Sequence, residues 1–125
     1  NVTIWGTGEP KREFLYVDDL ADCLIFLMNI SEKKYSTIIE KKSLPLINVG
    51  SASEIKIIDL AKEIAKVIGF KGNFIFDKSK PDGTFRKVMS LKKIHSLNWK
   101  HKTGLKKGLK LTYLDYLIKN KLIPS

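Results

Sequence analysis

The chain has 125 residues, a formal net charge of +10 and 43% hydrophobic residues, which suits one domain with a modest core and is too short for two full ones. No run of about 18 apolar residues occurs, so no membrane-spanning helix is expected. Cys23 is the only cysteine, which excludes an intramolecular disulfide and a cysteine-based metal cluster.

The start, NVTIWGTGE, has no initiator Met and no charged-then-apolar signal pattern. It opens on a strand-like run, Val2–Trp5, and the chain is expected to be a piece of something longer. Gly6-Thr7-Gly8-Glu9-Pro10 reads as a tight loop. Glu13–Val17 reads as a second short strand, with Phe14 and Tyr16 on one face and Leu15 and Val17 on the other. Asp18 is placed to cap a helix running to about Met28, whose apolar positions Leu20, Leu24, Leu27 and Met28 follow helical spacing. Cys23 lies inside the apolar DLADCLIFLMNI and reads as a small buried thiol, not a nucleophile. A lone free thiol fits a reducing, cytoplasmic compartment.

Residues Ser31–Ser43 are polar and lysine-rich without a clear period, a surface insertion closed by Pro45. Leu46–Val49 reads as a brief strand ending at Gly50. Ile57, Leu60, Ala61, Ile64, Ala65 and Ile68 trace one face of a helix, with Gly69 as its left-handed stop. Asn73–Phe76 is another strand, and Lys78–Arg86 a loop centred on Lys80-Pro81-Asp82-Gly83. Ser90 is placed to cap a short helix through Leu97, and Thr103 a final helix to about Lys119. The pattern is a small α/β domain over residues 1–125, short strands with about four helices. It lacks the Rossmann fingerprint, because Gly6-Thr7-Gly8 has no third glycine and leads into a strand instead of a helix.

The positive charge raises the question of nucleic acid. Seven lysines and one aspartate fall within residues 100–125. Lys106, Lys107 and Lys110 share their stretch with Leu105, Leu109, Leu111, Leu114 and Leu117, the pattern of an amphipathic helix with one solvated side. No zinc-finger spacing, aromatic ribonucleoprotein motif or Arg/Gly–aromatic interleaving occurs, so no nucleic-acid partner is expected. A basic, non-catalytic nucleic-acid-binding module stays as the alternative from another functional class.

Only Arg12 and Arg86 stand among the 23 Lys and Arg residues that are otherwise all lysine. Arginine offers a planar fork of donors that grips phosphate or carboxylate with two parallel bonds. The pair reads either as two jaws on one phosphorylated ligand or as two structural ion pairs. Three clusters carry candidate chemistry. In the first, Trp5 at a strand end beside Gly6-Thr7-Gly8 suits stacking on a planar base as well as plain core packing. In the second, Arg12 precedes the aspartates Asp18 and Asp19, which read as structural. In the third, DKSKPDGTFRK gathers Asp82, Arg86 and Lys87 into one loop, either a ligand loop or a solvated turn. His95 and His101 read as neither metal ligands nor bases. No Tyr is followed four residues later by Lys.

Taken in order, TIWGTGEPKREFLYVDDLADC, LINVGSASEIKIIDLAKEIAKVIGFKG, FIFDKSKPDGTFRKVMS and LNWKHKTGLKKGLKLTYLDYLI resemble the carboxy-terminal part of the GDP-L-fucose synthase family. These are GDP-4-keto-6-deoxymannose 3,5-epimerase/4-reductases of the extended short-chain dehydrogenase/reductase superfamily. The resemblance implies a substrate-binding domain for GDP-4-keto-6-deoxymannose or another GDP-deoxysugar, in a cytoplasmic homodimeric enzyme. It implies substrate contacts at Trp5, Arg12 and Asp82, with Arg86 and Lys87 as a further extension. It also implies that NADP and the catalytic Ser, Tyr, Lys, Cys and His belong to the family's amino-terminal part. No residue of this chain is then catalytic, and the chain alone would be inactive. A related NDP-sugar epimerase/reductase is the nearest alternative. The resemblance lapses at Phe85, where the family has proline, at Ser51-Ala52, where Thr-Gly is commoner, and at Ser90, where aspartate is usual.

Overall fold

The computed structural model describes residues 1–38 and 46–123. In chain order the elements are strands β1 (Val2–Trp5) and β2 (Lys11–Glu13), helices α1 (Val17–Asn29) and α2 (Glu32–Ser36), β3 (Glu54–Lys56), α3 (Ile57–Ile68), β4 (Phe74–Asp77), β5 (Arg86–Lys87), α4 (Lys92–Ser96) and α5 (Leu105–Lys119). The expected α/β class with short strands is what forms, with five helices among the described residues where about four were expected.

The chain divides into two units. The first comprises Asn1–Arg12, Glu54–Lys87 and the chain from Leu105 onward. In it β1 pairs in parallel with β4, Val2 opposite Phe74 and Trp5 opposite Asp77. A second sheet has the order β3-β2-β5. Helix α3 stops where Gly69 takes φ 71°, its N–H donating to the Ala65 carbonyl, as a glycine does at little steric cost. Helix α3 packs against α5, and Lys106, Lys107 and Lys110 are exposed.

The second unit, Glu13–Ser53 and Val88–Gly104, holds the better-formed core. Cys23, Ile38, Leu91, Ile94, Leu97 and Trp99 are buried together, with Phe26, Leu27, Ile30, Ile47 and Val49 packed against them. Burial raises the Cys23 thiol pKa, with the Asp22 charge adding to the effect, so the residue is the buried, unreactive thiol expected. Asp19 is also buried. Its carboxylate accepts from the backbone N–H groups of Lys102 and Thr103, at 3.2 and 2.7 Å, and from the Thr103 hydroxyl at 3.3 Å. Asp22 accepts from the Trp99 indole at 3.0 Å. These bonds satisfy the carboxylates, which is how charged side chains are tolerated against a core.

Several sequence expectations shift. Strand β2 begins at Lys11 and ends at Glu13, and the chain from Val17 is already helix. The N-cap position of α1 is Tyr16, not Asp18. The inward face of α1 carries Asp19, Cys23, Phe26 and Leu27, while Leu20, Leu24 and Met28 are exposed. The helix is apolar on both sides, and the buried aspartate marks the inward one. Within the expected insertion, Ser31 caps the short helix α2 by accepting from the Lys34 N–H, and Ile38 enters the core. The rest of that insertion, with Pro45, lies outside the described residues. Leu46–Val49 forms no strand, because no described strand pairs with it. Leu91, not Ser90, takes the N-cap position of α4.

The departure at Ala52 has a local consequence. Ala52 sits at φ 55°, in the left-handed region that disfavours a Cβ, and its N–H donates to the Glu13 carboxylate at 2.8 Å. In the full-length protein, Ala52→Gly should relieve that strain and raise stability by up to about 1 kcal/mol, after the extra flexibility of glycine in the unfolded chain is subtracted. Urea denaturation reads the change, and a loss of stability would show that the alanine is not strained.

Candidate functional site

The two arginine motifs run side by side within the first unit. Gly6 N–H donates to the Asp77 carbonyl and Lys11 N–H to the Phe85 carbonyl, at 2.9 and 2.8 Å. Between those points the Asp82 carboxylate accepts from the Thr7 N–H at 2.6 Å and from the Thr7 hydroxyl at 2.7 Å. Gly6 has φ 75°, and a Cβ there would run into the Asp82 carboxylate. Glycine is therefore required on two counts, conformation and space. Residues 77–87 are thus strapped along residues 5–12.

Trp5 projects from the end of β1 and is 69% exposed, not a core tryptophan. The Lys80 ammonium sits 5.8 Å from the centre of its ring, within cation–π range. An exposed indole at a strand end is available to a planar group. The Asp82 carboxyl is held below its ordinary pKa, first by the Thr7 backbone N–H and then by the Thr7 hydroxyl. It is ionised and latched to the loop; a carboxylate has about four acceptor sites, so capacity is left for a ligand donor.

Lys11 lies opposite Arg86, and Arg12 opposite Lys87, in the parallel pairing of β2 with β5. Successive side chains of a strand point to opposite faces, and paired residues share one. Arg12 therefore shares a face with Lys87, and Arg86 shares the other with Lys11. The two guanidiniums do not converge, and the reading of Arg12 and Arg86 as two jaws is corrected on this point. Arg86 is moreover engaged by Glu54 of β3. Its Nε donates to Oε1 and Oε2 at 2.8 and 3.0 Å, and its Nη2 donates to Oε2 at 2.7 Å. That contact lowers the Glu54 pKa and raises that of Arg86.

Arg12 is half-buried and donates from Nη1 to its neighbour's Lys11 carbonyl at 2.6 Å. A Cβ built on Gly83 would stand 3.9 Å from its Nη2, so the KPDGT turn passes beside the guanidinium. Among the described residues neither Arg12 nor Lys87 makes an ion pair. A guanidinium and an ammonium without acidic partners share one strand-pair face, an arrangement that can hold an anion. Sequence reasoning missed Thr7 and Glu54. Thr7 lies inside a loop whose sequence signal is its glycines, and nothing in the sequence connects Glu54 to an arginine 32 positions later.

The loop does not fit a nicotinamide dinucleotide. The Thr7 amide already binds Asp82, and the loop runs into β2, so it presents no helix N-terminus to a pyrophosphate. No group of three or more metal-ligating side chains occurs among the described residues, and no described helix is long and apolar enough to cross a membrane.

A GDP-L-fucose synthase of Escherichia coli is 43% identical over 94% of this chain, and one of Sinorhizobium fredii is 44% identical over 93%. The chain is thus similar to GDP-L-fucose synthases. It spans about a third of their length, 36% and 34% respectively. A solved GDP-6-OMe-4-keto-L-xylo-heptose reductase from C. jejuni superposes with a TM-score of 0.83 at 40% identity, over 94% of this chain and 34% of that one. The pattern of the NAD dependent epimerase/dehydratase family matches residues 1–39. The fold is that of a part of the extended short-chain dehydrogenase/reductase enzymes, as the sequence resemblance implied.

The Asp82 latch gives a titration. A carboxylate whose pKa is lowered in the folded state stabilises the loop above its unfolded value and loses that contribution as pH falls through the lowered one. In the NMR spectrum of the full-length protein, the Thr7 amide should therefore shift with a midpoint below the ordinary aspartate value of about 3.9. A midpoint at or above that value would show that the latch is absent.

Proposed function

We propose that this chain is the GDP-sugar-binding part of an NADP-dependent GDP-4-keto-6-deoxymannose 3,5-epimerase/4-reductase, a GDP-L-fucose synthase. A related epimerase/reductase acting on another GDP-sugar is the second reading, favoured by the similarity to the C. jejuni heptose reductase. The observation that carries the proposal is the face of the β2–β5 pair on which Arg12 and Lys87 stand together, both without acidic partners among the described residues. Two cationic side chains there suit a nucleoside diphosphate, which presents adjacent negative groups. Arg12 supplies the fork that holds a phosphate by two bonds, and Lys87 supplies a compact charge with rotatable donors. Trp5, exposed at the strand end, supplies a flat apolar surface for the base or sugar. Asp82 both latches the loop and offers its remaining acceptor sites to ligand hydroxyl or amine donors.

These residues bind and orient; none is assigned a catalytic role. NADP, in this reading, is held by parts of the enzyme outside these 125 residues and supplies the hydride for reduction at C4. The enzyme works in the cytoplasm as a homodimer. Remote binding energy on the nucleotide holds the sugar in place for chemistry performed elsewhere.

Calorimetry of GDP binding to the full-length enzyme tests the grip. Arg12→Lys keeps the charge but loses the two-bond geometry, and should weaken binding by about 1–3 kcal/mol. Unchanged affinity would remove Arg12 from the site, and no GDP binding by the unsubstituted enzyme would remove the whole reading.

A further inference from the structure

We propose that Arg86 and Glu54 form a positioning pair for the anion-binding face: the ion pair fixes the two-residue strand β5 so that Lys87 stands beside Arg12. This deepens the proposed function and rests on the reading of Arg12 and Lys87 as the phosphate grip.

Strand β5 consists of Arg86 and Lys87 alone, so a short ladder with β2 has little hold on it. In the sheet order β3-β2-β5, Glu54 and Arg86 stand on the two outer strands, and their side chains meet across the central one. Lys11, opposite Arg86 in register, also favours the ionised Glu54. The contact uses both carboxylate oxygens and two guanidinium nitrogens. Lysine could not reproduce that planar, two-point geometry, which accounts for arginine at this position in a chain that otherwise uses lysine freely.

The Glu54 side chain is only 18% exposed and that of Arg86 is 62% exposed. The glutamate is the more confined partner, and it holds the arginine on the face opposite Arg12. Asp82 ties down the start of the same segment through Thr7. The stretch from Asp82 to Lys87 is thereby anchored at both ends, one anchor on the glycine loop and one across the sheet. A ligand-binding Lys87 gains its position from an arginine that touches no ligand.

The test uses the full-length enzyme with GDP-4-keto-6-deoxymannose as substrate. Glu54→Gln and Arg86→Met should each raise KM about three- to fivefold with kcat unchanged, the size expected for a well-aligned exposed pair acting on binding alone. The double substitution should do no more than the worse single one, because both remove the same contact. Hydrogen exchange without nucleotide should quicken at the Lys11 amide, which donates to the Phe85 carbonyl, in each single variant. An unchanged KM in Glu54→Gln beside a raised one in Arg86→Met would make Arg86 a ligand and overturn the positioning role. Unchanged exchange at Lys11 in Glu54→Gln would overturn it as well. The exchange measurement judges the pair even if the enzyme binds no GDP, in which case the grip fails and the pair is judged by itself.

Discussion

The parallel pairing of β2 with the very short β5 is the constraint on which the rest of the site depends. It sets Lys11 opposite Arg86 and Arg12 opposite Lys87. From that register alone, a strand's alternation divides four cationic side chains into two pairs on opposite faces. One face finds a carboxylate, Glu54, and becomes part of the framework. The other carries Arg12 and Lys87, which make no ion pair among the described residues. A slip of β5 by one residue would put Arg86 on the face of Arg12 and Lys87 on that of Lys11. In the proposed reading, the Asp82–Thr7 latch and the Arg86–Glu54 pair act alike, holding a loop and a two-residue strand in the alignment that puts Lys87 beside Arg12.

The two arginines use one chemical property for different ends. Each guanidinium offers a planar set of donors, and Arg86 turns its set on a neighbouring carboxylate. Arg12 places one N–H on the Lys11 carbonyl and retains the others. An ion pair whose arginine is exposed adds little to global stability, and the role proposed above for the Arg86–Glu54 contact is geometric. In the proposed reading, arginine stands where direction matters, and Lys87 where a compact charge suffices. That distinction agrees with the relationship to the GDP-L-fucose synthases, proteins named for work on a nucleotide sugar.

Elements with a strong internal signal were legible in the sequence. Strand β1 begins and ends where the apolar run does, and α3 runs from Ile57 to its glycine stop as its periodicity requires. Elements whose pattern is apolar on more than one side were not. The helix α1 offers two apolar faces, and the tertiary core accepts the one that carries Asp19, because Lys102 and Thr103 satisfy that carboxylate. Hydropathy alone reads an aspartate as outward-facing. Leu46–Val49 has strand composition, yet a strand needs a neighbour, and none is present among the described residues. In the candidate site, the glycines, Trp5, Arg12 and the KPDGT turn could be picked out by type and spacing. Thr7 and Glu54 could not, since hydroxyl and carboxylate groups at loop and strand positions are common and their partners lie 75 and 32 residues away.

By itself, the sequence determined the α/β class, the absence of a dinucleotide fingerprint, the buried thiol and the two motifs that would lie at the site. Each follows from local composition or from spacing along the chain. Only the tertiary structure decided which arginine is available to a ligand. That outcome depends on strand register and on a carboxylate brought from a distant segment, and both are properties of how the chain is folded against itself. A planar fork of donors binds whichever anion the fold puts in front of it, and residue type alone does not say whether that anion is the protein's own.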